Sequence, residues 1–179
     1  ILAKIKSDPE DADVKRTEKE LWEKIRTKSL GGRRTGLGIT AEGDMLAALG
    51  LTYGSDQSIS FSVNIHKTLA LEAYRSSVEM AKERGAFPIF DASKESSNPM
   101  ILRIKNEDAQ LYDDMVKYGR RNISMLTIAP TGTTSLMSQT TSGIEPVFLP
   151  FYKRRKKVNP NDINVNVTFK DENGESWEE

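Results

Sequence analysis

Ile123-Ser124-Met125-Leu126-Thr127-Ile128-Ala129-Pro130-Thr131-Gly132-Thr133-Thr134-Ser135 is the stretch on which the fold turns. The apolar, β-prone run 123–128 reads as a buried strand. Pro130, Gly132 and the hydroxyl residues around them read as a tight turn that opens a short helix to about Ser138. The first N–H groups of a helix have no intrahelical partners, so such a turn offers a seat to an anion such as a phosphate. The same residues also fit a plainer role, a hydroxyl-rich cap in which Thr133 and Thr134 satisfy backbone groups. No Gly-Lys-Ser/Thr follows Gly132, which excludes a Walker A loop. Gly132 stands alone, which excludes a dinucleotide fingerprint.

Upstream of this stretch the pattern is helical. Residues 12–29 read as a helix with Leu21, Trp22 and Ile25 on its apolar face, stopped by Gly31-Gly32. Residues 33–40 read as a loop or short strand with close backbone approach at the glycines. Thr40 is placed to cap a helix over 41–49, and Gly50 to end it. Ser55 caps a long helix running to about Arg84, with Ile59, Val63, Ala70, Tyr74, Val78 and Ala81 at a spacing of three or four and Gly85 as terminator. Such a helix spans about 45 Å, long for a small free domain and natural as a spine against a large sheet. Residues 86–105 read as irregular. Residues 107–119 read as a helix with Leu111, Met115 and Val116 inward.

Downstream, Thr140-Thr141-Ser142-Gly143 is a second turn, and 147–149 and 151–152 are β-prone. Pro160-Asn161-Asp162 turns the chain, and Ile163 to Phe169 alternates with period two, as a half-solvated strand does. Helix, strand, helix, strand in this order indicates an α/β fold.

The chain has 179 residues, enough for one ordinary domain or part of a larger one. Mean hydropathy is −0.53, on the polar side for a domain with a good core. Lys plus Arg equals Asp plus Glu at 26 each, so net charge exerts no pull toward nucleic acid or membrane. No apolar run is long enough for a transmembrane helix, no leader starts the chain, and a cytoplasmic location is the default. There is no cysteine and one histidine, which excludes a disulfide scaffold and leaves no basis for a His/Cys zinc site. Both ends read as cuts through a longer sequence, and Trp177 as a contact residue for whatever surrounds it.

Several charged groups carry two readings each. Arg33-Arg34 and Arg120-Arg121 adjoin glycines and suit either an anion or internal ion pairs. Glu145, held extended by Pro146, either orients a ligand or pairs with one of those arginines. Asn122 is placed to hold a loop through its amide. His66 reads as a surface or packing residue, and Glu42 with Asp44 is weak grounds for a metal. The basic run 153–157 reads as a solvated face or an internal docking segment rather than a nucleic-acid surface.

Gly32-Arg33-Arg34-Thr35-Gly36-Leu37-Gly38-Ile39-Thr40, Gly43-Asp44-Met45-Leu46-Ala47-Ala48-Leu49-Gly50-Leu51, Arg120-Arg121-Asn122-Ile123-Ser124, Ile128 through Ser135, and Thr141-Ser142-Gly143-Ile144-Glu145-Pro146-Val147-Phe148 together resemble the large catalytic subunit of ribonucleotide reductases. The resemblance covers nearly the whole chain and is greatest to the adenosylcobalamin-dependent class. It implies a ten-stranded α/β barrel, with 1–179 as a single segment of its later part. It makes Thr131, Gly132, Thr133 and Thr134 the residues that bind the substrate phosphates, with Ser135 a further candidate, and Ala129 and Pro130 the pocket wall near the nucleoside. The Gly-Leu-Gly loop and Glu145-Pro146 become structural parts of the barrel.

The same resemblance implies reduction of a ribonucleoside di- or triphosphate by thiyl-radical chemistry. Adenosylcobalamin is the implied radical source, with contacts that lie outside this chain, and an iron-containing small subunit is the other source in the family. Implied partners are the rest of the reductase chain, a thioredoxin-like reductant and a second copy of the enzyme. Without cysteine the chain alone is expected to be inactive. A nucleotide-binding module without catalysis is the rival reading, and a scaffold using the basic run a third. A barrel piece with open strand edges is also expected to leave apolar surface exposed.

Overall fold

The computed structural model describes residues 1–149, 151–159, 161–162 and 164–179. Among these residues it contains eight helices and three short strands. Helix α1 (Leu2–Ser7) packs against α2 (Ala12–Gly32). Asp11 caps α2 by accepting from the N–H groups of Asp13 and Val14. Gly31 and Gly32 lie inside the last turn of α2 rather than beyond it, and the helix stops at Arg33, which is left-handed at φ 47°. The glycines serve approach instead. A Cβ on Gly32 would lie 3.1 Å from the Ile123 side chain, and the Ile123 N–H donates to the Gly32 carbonyl. The expected apolar face of α2 is not buried: Leu21 and Ile25 are exposed and Trp22 is half-covered.

The spine is α4 (Asp56–Arg84). Ser55 caps it through Ser58 N–H, and Gly85 ends it at φ 78°. Apart from Ser58 in its first turn, its buried residues lie in the second half, Tyr74, Ser77, Val78 and Ala81, while Ile59 and Val63 face solvent. Residues 86–105 are not irregular throughout. They contain α5 (Ala92–Glu95), capped by Asp91, and most of α6 (Pro99–Glu107), capped by Asn98. Pro99 sits in the first turn of α6, where its missing N–H costs nothing. Helix α7 (Ala109–Tyr118) follows at once, with the Asp108 carboxylate accepting from Leu111 N–H. Leu111 and Met115 point inward as the periodicity predicts, but Val116 is exposed.

The core joins α4, α6 and α7 through Tyr74, Val78, Ile101, Ile104, Leu111 and Met115, with Met125 entering from the 123–128 run. That run is extended but forms no regular strand. It pairs with residues 35–37 in a short parallel contact: Thr35 N–H donates to Ser124 O, Leu37 N–H to Met125 O and Thr127 N–H to Leu37 O. Gly36 and Gly38 permit this approach. A Cβ at Gly36 would meet the Thr127 methyl at 2.8 Å, and one at Gly38 would collide with the Thr127 carbonyl oxygen. The ten-stranded barrel is therefore not formed by the described residues. A barrel strand needs a neighbour on each side, and these two segments find only each other.

The C-terminal part forms a separate antiparallel sheet in the order β1 (Lys156–Lys157), β3 (Ser176–Glu178), β2 (Phe169–Lys170). Lys157 and Phe169 both stand opposite Trp177. The period-two segment expected as a strand over 163–169 contributes only Phe169 to the sheet, and Ile163 and Pro160 lie outside the described residues. Trp177 is held within the sheet: its ring stacks on Phe169 at 6.2 Å and its Nε1–H donates to Asp171. The basic run is exposed throughout, as a solvated face is, and three of its residues also pair within this C-terminal part: Lys153 and Arg155 with Glu179, and Lys157 with Glu175. No described helix is long and apolar enough to cross a membrane. Leu136, Met137, Phe148 and Phe151 are each more than four-fifths exposed, an unusual quantity of bare apolar surface.

Candidate functional site

Both parallel segments run toward the same end of the molecule. After 35–37 the chain enters Gly38, Ile39 and Thr40 and then α3 (Glu42–Ala48); after 124–127 it enters Ala129, Pro130 and Thr131 and then α8 (Gly132–Ser138). The two helix starts are bound together. Thr40 does not cap α3, contrary to its sequence reading. Ala41 adopts φ 65° and takes the cap position, and the Thr40 hydroxyl turns across to the Thr131 hydroxyl at 2.8 Å and to the Thr141 carbonyl. The Thr131 hydroxyl in turn accepts from Gly143 N–H at 2.8 Å.

No side chain caps α8. Gly132, Thr133 and Thr134 are exposed, and a Cβ on Gly132 would meet nothing within 4 Å. Among the described residues, none bonds the hydroxyls of Thr133 and Thr134. Ala129 and Pro130 are exposed beside them. Ser135 lies differently: it is buried, and its hydroxyl donates to the Gly132 carbonyl. The arrangement can present helix N–H groups and two threonine hydroxyls to an anion.

Residues 141–146 form the far wall. A Cβ on Gly43 would sit 2.5 Å from Glu145 O and 2.7 Å from Pro146 Cα, so the Glu145-Pro146 backbone lies directly on α3. The Glu145 side chain is exposed and turns back beside Gly143, without an ion pair to Arg33, Arg34, Arg120 or Arg121.

The sequence reading missed a pair here. Glu42, 5% exposed, accepts from His66 Nε2 across 2.8 Å, linking α3 to α4. His66 is therefore not an idle surface residue. Asp44 is engaged elsewhere, accepting from Thr141 N–H, so the two carboxylates of this turn hold different partners. The separation of 24 residues between Glu42 and His66 hid their contact. A carboxylate in an apolar helix start was the available signal.

The arginines hold the scaffold. Arg120 makes a two-point pair with Glu95. Arg121 donates to the carbonyls of Arg84 and Gly85, and Arg33 to that of Ala86, cations set at the negative end of α4. The neighbouring Arg33 and Arg84 charges, with burial, hold the Arg121 guanidinium below its ordinary value, burial being the larger cause. Asn122 locks the loop as its amide suggests, taking a bond from Ser77 and giving one to Arg33 O. Between the parallel pair and helices α4 and α6 lies an apolar groove of about 580 Å³, lined by Leu37, Ala70, Leu71, Met100 and Leu126 among others.

Comparison with known proteins adds a family to this geometry. The family described as ribonucleotide reductase, barrel domain, matches residues 13–178. A vitamin B12-dependent ribonucleoside-diphosphate reductase of Mycobacterium tuberculosis (strain ATCC 25618 / H37Rv) is 34% identical over 123 residues, covering 68% of this chain and 15% of that protein. Its namesake from Thermoplasma acidophilum is 27% identical over 153 residues, covering 86% and 18%. A ribonucleoside-diphosphate reductase subunit alpha of Treponema pallidum (strain Nichols) is 27% identical over 128 residues, covering 70% and 15%. The chain thus spans 15 to 18% of the length of these curated relatives.

Proposed function

The chain belongs to the ribonucleotide reductase barrel-domain family, and from that premise we propose that it serves in a ribonucleoside-diphosphate reductase, supplying substrate-phosphate binding and scaffold. Residues 1–179 act as one segment of the later part of the barrel. The carrying observation is the uncapped start of α8, with exposed Gly132, Thr133 and Thr134, at the carboxyl end of a parallel pair. Ligands of parallel α/β sheets gather at that end. Backbone N–H groups of Gly132, Thr133 and Thr134 and the two free hydroxyls hold the phosphates. Thr131 and Ser135 contribute backbone and shape, since their hydroxyls are already bonded. Ala129 and Pro130 line the nucleoside side.

Replacing a ribose 2′-hydroxyl by hydrogen through thiyl chemistry requires thiols, and the 179 residues contain none. The radical cysteine and the reducing pair therefore come from other parts of the enzyme, with a thioredoxin-like protein as reductant. The bare apolar residues Leu136, Met137, Phe148 and Phe151 and the groove beside Leu37 are the faces that the remaining barrel covers. The cytoplasm is the setting, and a homodimer the assembly, that this reading takes.

Adenosylcobalamin is the proposed radical source, a reading supported by the relatives of Mycobacterium tuberculosis and Thermoplasma acidophilum that are named vitamin B12-dependent. The one imidazole, His66, is engaged with buried Glu42 through Nε2 and is not offered to a corrin as an axial ligand. This reading places the cofactor contacts outside this chain.

Calorimetric titration of the protein, expressed from its own complete reading frame, with a ribonucleoside diphosphate tests the phosphate site. Saturable binding that is lost in the Thr133→Val, Thr134→Val double variant is expected. Undiminished affinity in that variant would overturn the assignment.

A further inference from the structure

The phosphate loop is anchored by a partner far away in sequence. Asp44 Oδ2 accepts from Thr141 N–H at 2.8 Å, and the Asp44 N–H donates back to the Thr141 hydroxyl at 3.3 Å. This reciprocal exchange has the logic of a capping box, but its partners are 97 residues apart. It is continued by the backbone, where Ala41 N–H donates to Thr141 O and Glu42 N–H to Gly143 O. The segment around Thr141 and Gly143 thereby satisfies the start of α3, which no side chain of its own caps.

The other side of the same segment holds the loop. Gly143 N–H donates to the Thr131 hydroxyl, and Thr131 immediately precedes the first residue of α8. Thr40 closes the circuit through its bonds to Thr131 and to Thr141 O. We propose that Asp44 is a positioning residue for substrate-phosphate binding, fixing Thr141 and Gly143 so that Thr131 sets the direction of the α8 start. The inference rests on the phosphate reading of residues 131–134. Asp44 touches no phosphate itself. Its carboxylate lies in the first turn of α3, where the helix dipole favours negative charge, and an ionised acceptor makes a stronger bond to the Thr141 N–H than a neutral one.

A displacement of about 1 Å at a binding group is enough to cost up to about a hundredfold in function. We therefore expect Asp44→Ala to weaken ribonucleoside diphosphate binding about tenfold or more, while affinity for the matching nucleoside without phosphates holds. Asp44→Asn keeps an acceptor for Thr141 N–H and should recover most of the loss. Thr141→Val, which removes only the returning bond, should move diphosphate affinity in the same direction by less. Calorimetry in the protein expressed from its complete reading frame, with melting temperatures alongside, reads all three.

Unchanged diphosphate affinity in Asp44→Ala, with binding still lost in the Thr133→Val, Thr134→Val variant, overturns the role of Asp44 and leaves the phosphate site standing. Equal loss of diphosphate and nucleoside binding, unrecovered by Asn, also overturns it, since that is general collapse. Undiminished binding in the double threonine variant instead overturns the phosphate reading. If Asp44→Ala does not fold, Thr141→Val decides alone, and wild-type diphosphate affinity there is the overturning result.

Discussion

Arg120 is buried against Glu95 in a two-point pair, with Nη1 2.5 Å from Oε2 and Nη2 2.7 Å from Oε1. Its residue is 2% exposed, and the rings of Tyr74 and Phe87 lie 5.3 and 5.8 Å from the guanidinium. Burial pushes the Tyr74 phenol up from its ordinary value, with the Arg120 charge opposing. The pair ties the short helix α5 to the start of the 123–128 run, so of the two readings of Arg120 the internal ion pair is the one the structure forms.

Removing Glu95 would leave a buried cation without a counter-charge. Loss of one partner of a buried pair costs about 3–5 kcal/mol. Glu95→Ala is therefore expected to lower unfolding stability by about that amount in urea titrations. The double variant Glu95→Ala, Arg120→Met should be less destabilised than Glu95→Ala alone. A loss below about 1 kcal/mol in the single variant, the level of an exposed pair, would show that the Arg120 charge is solvated.

His66 and Glu42 make a second prediction of the same kind at the site. His66→Ala leaves the nearly buried Glu42 carboxylate without its imidazole, a cost of about 1–3 kcal/mol. Adding Glu42→Leu should return most of that stability, because an apolar residue asks for no partner. Thermal melts of the two variants check it. Equal melting points for both would remove the pair from the account.

Local chemistry was legible in the sequence where a residue acts within its own turn of chain. Ser55, Gly85 and Gly119 bound α4 and α7 as read, and Leu111 and Met115 face the core because a spacing of four repeats the helix face. Asn98-Pro99 falls in the stretch read as irregular, although the same two residues are a cap and a first helical position. The 123–128 run has strand composition, but a strand is made by neighbours, and among the described residues its backbone partners are Gly32 and residues 35–37. The exposed part of the loop, Gly132 to Thr134, was legible as the start of a helix. Its anchors were not, because Thr40 reaches Thr131 across 91 residues of chain and Asp44 reaches Thr141 across 97, and neither period nor propensity carries that information.

Gly43 offers a steric test of how closely the far wall must approach α3. A Cβ there would lie 2.5 Å from Glu145 O and 2.7 Å from Pro146 Cα, both backbone atoms that cannot swing aside. Gly43→Ala should cost about 1–3 kcal/mol, as overpacking does. It should also weaken diphosphate binding, because the Glu145-Pro146 backbone is displaced together with Gly143. Gly132→Ala serves as the contrast, since nothing lies within 4 Å of its Cβ position. Melting temperatures separate the two. Comparable destabilisation in both would contradict the packing of 145–146 on α3.

Asp108 carries the pH dependence of the core helices. Its Oδ1 accepts from Leu111 N–H at 2.9 Å and its Oδ2 from Arg75 at 2.7 Å. The Leu111 N–H first, and then the Arg75 guanidinium, hold the carboxyl below its ordinary value in the folded chain. A depressed folded value means that the native state binds fewer protons than the unfolded one as the group titrates. The resulting stability is fully present above the unfolded pKa of about 3.9. It is lost as pH falls through that value toward the lower folded one. Other carboxylates titrate in the same range, so the useful quantity is the stability difference between the wild type and Asp108→Asn. That difference should be constant from about pH 7 to about pH 5 and should shrink as pH falls below about 3.9. Urea unfolding at a series of pH values measures it, and a difference that stays flat into acid would mean that the Asp108 charge contributes nothing to the α4–α7 junction.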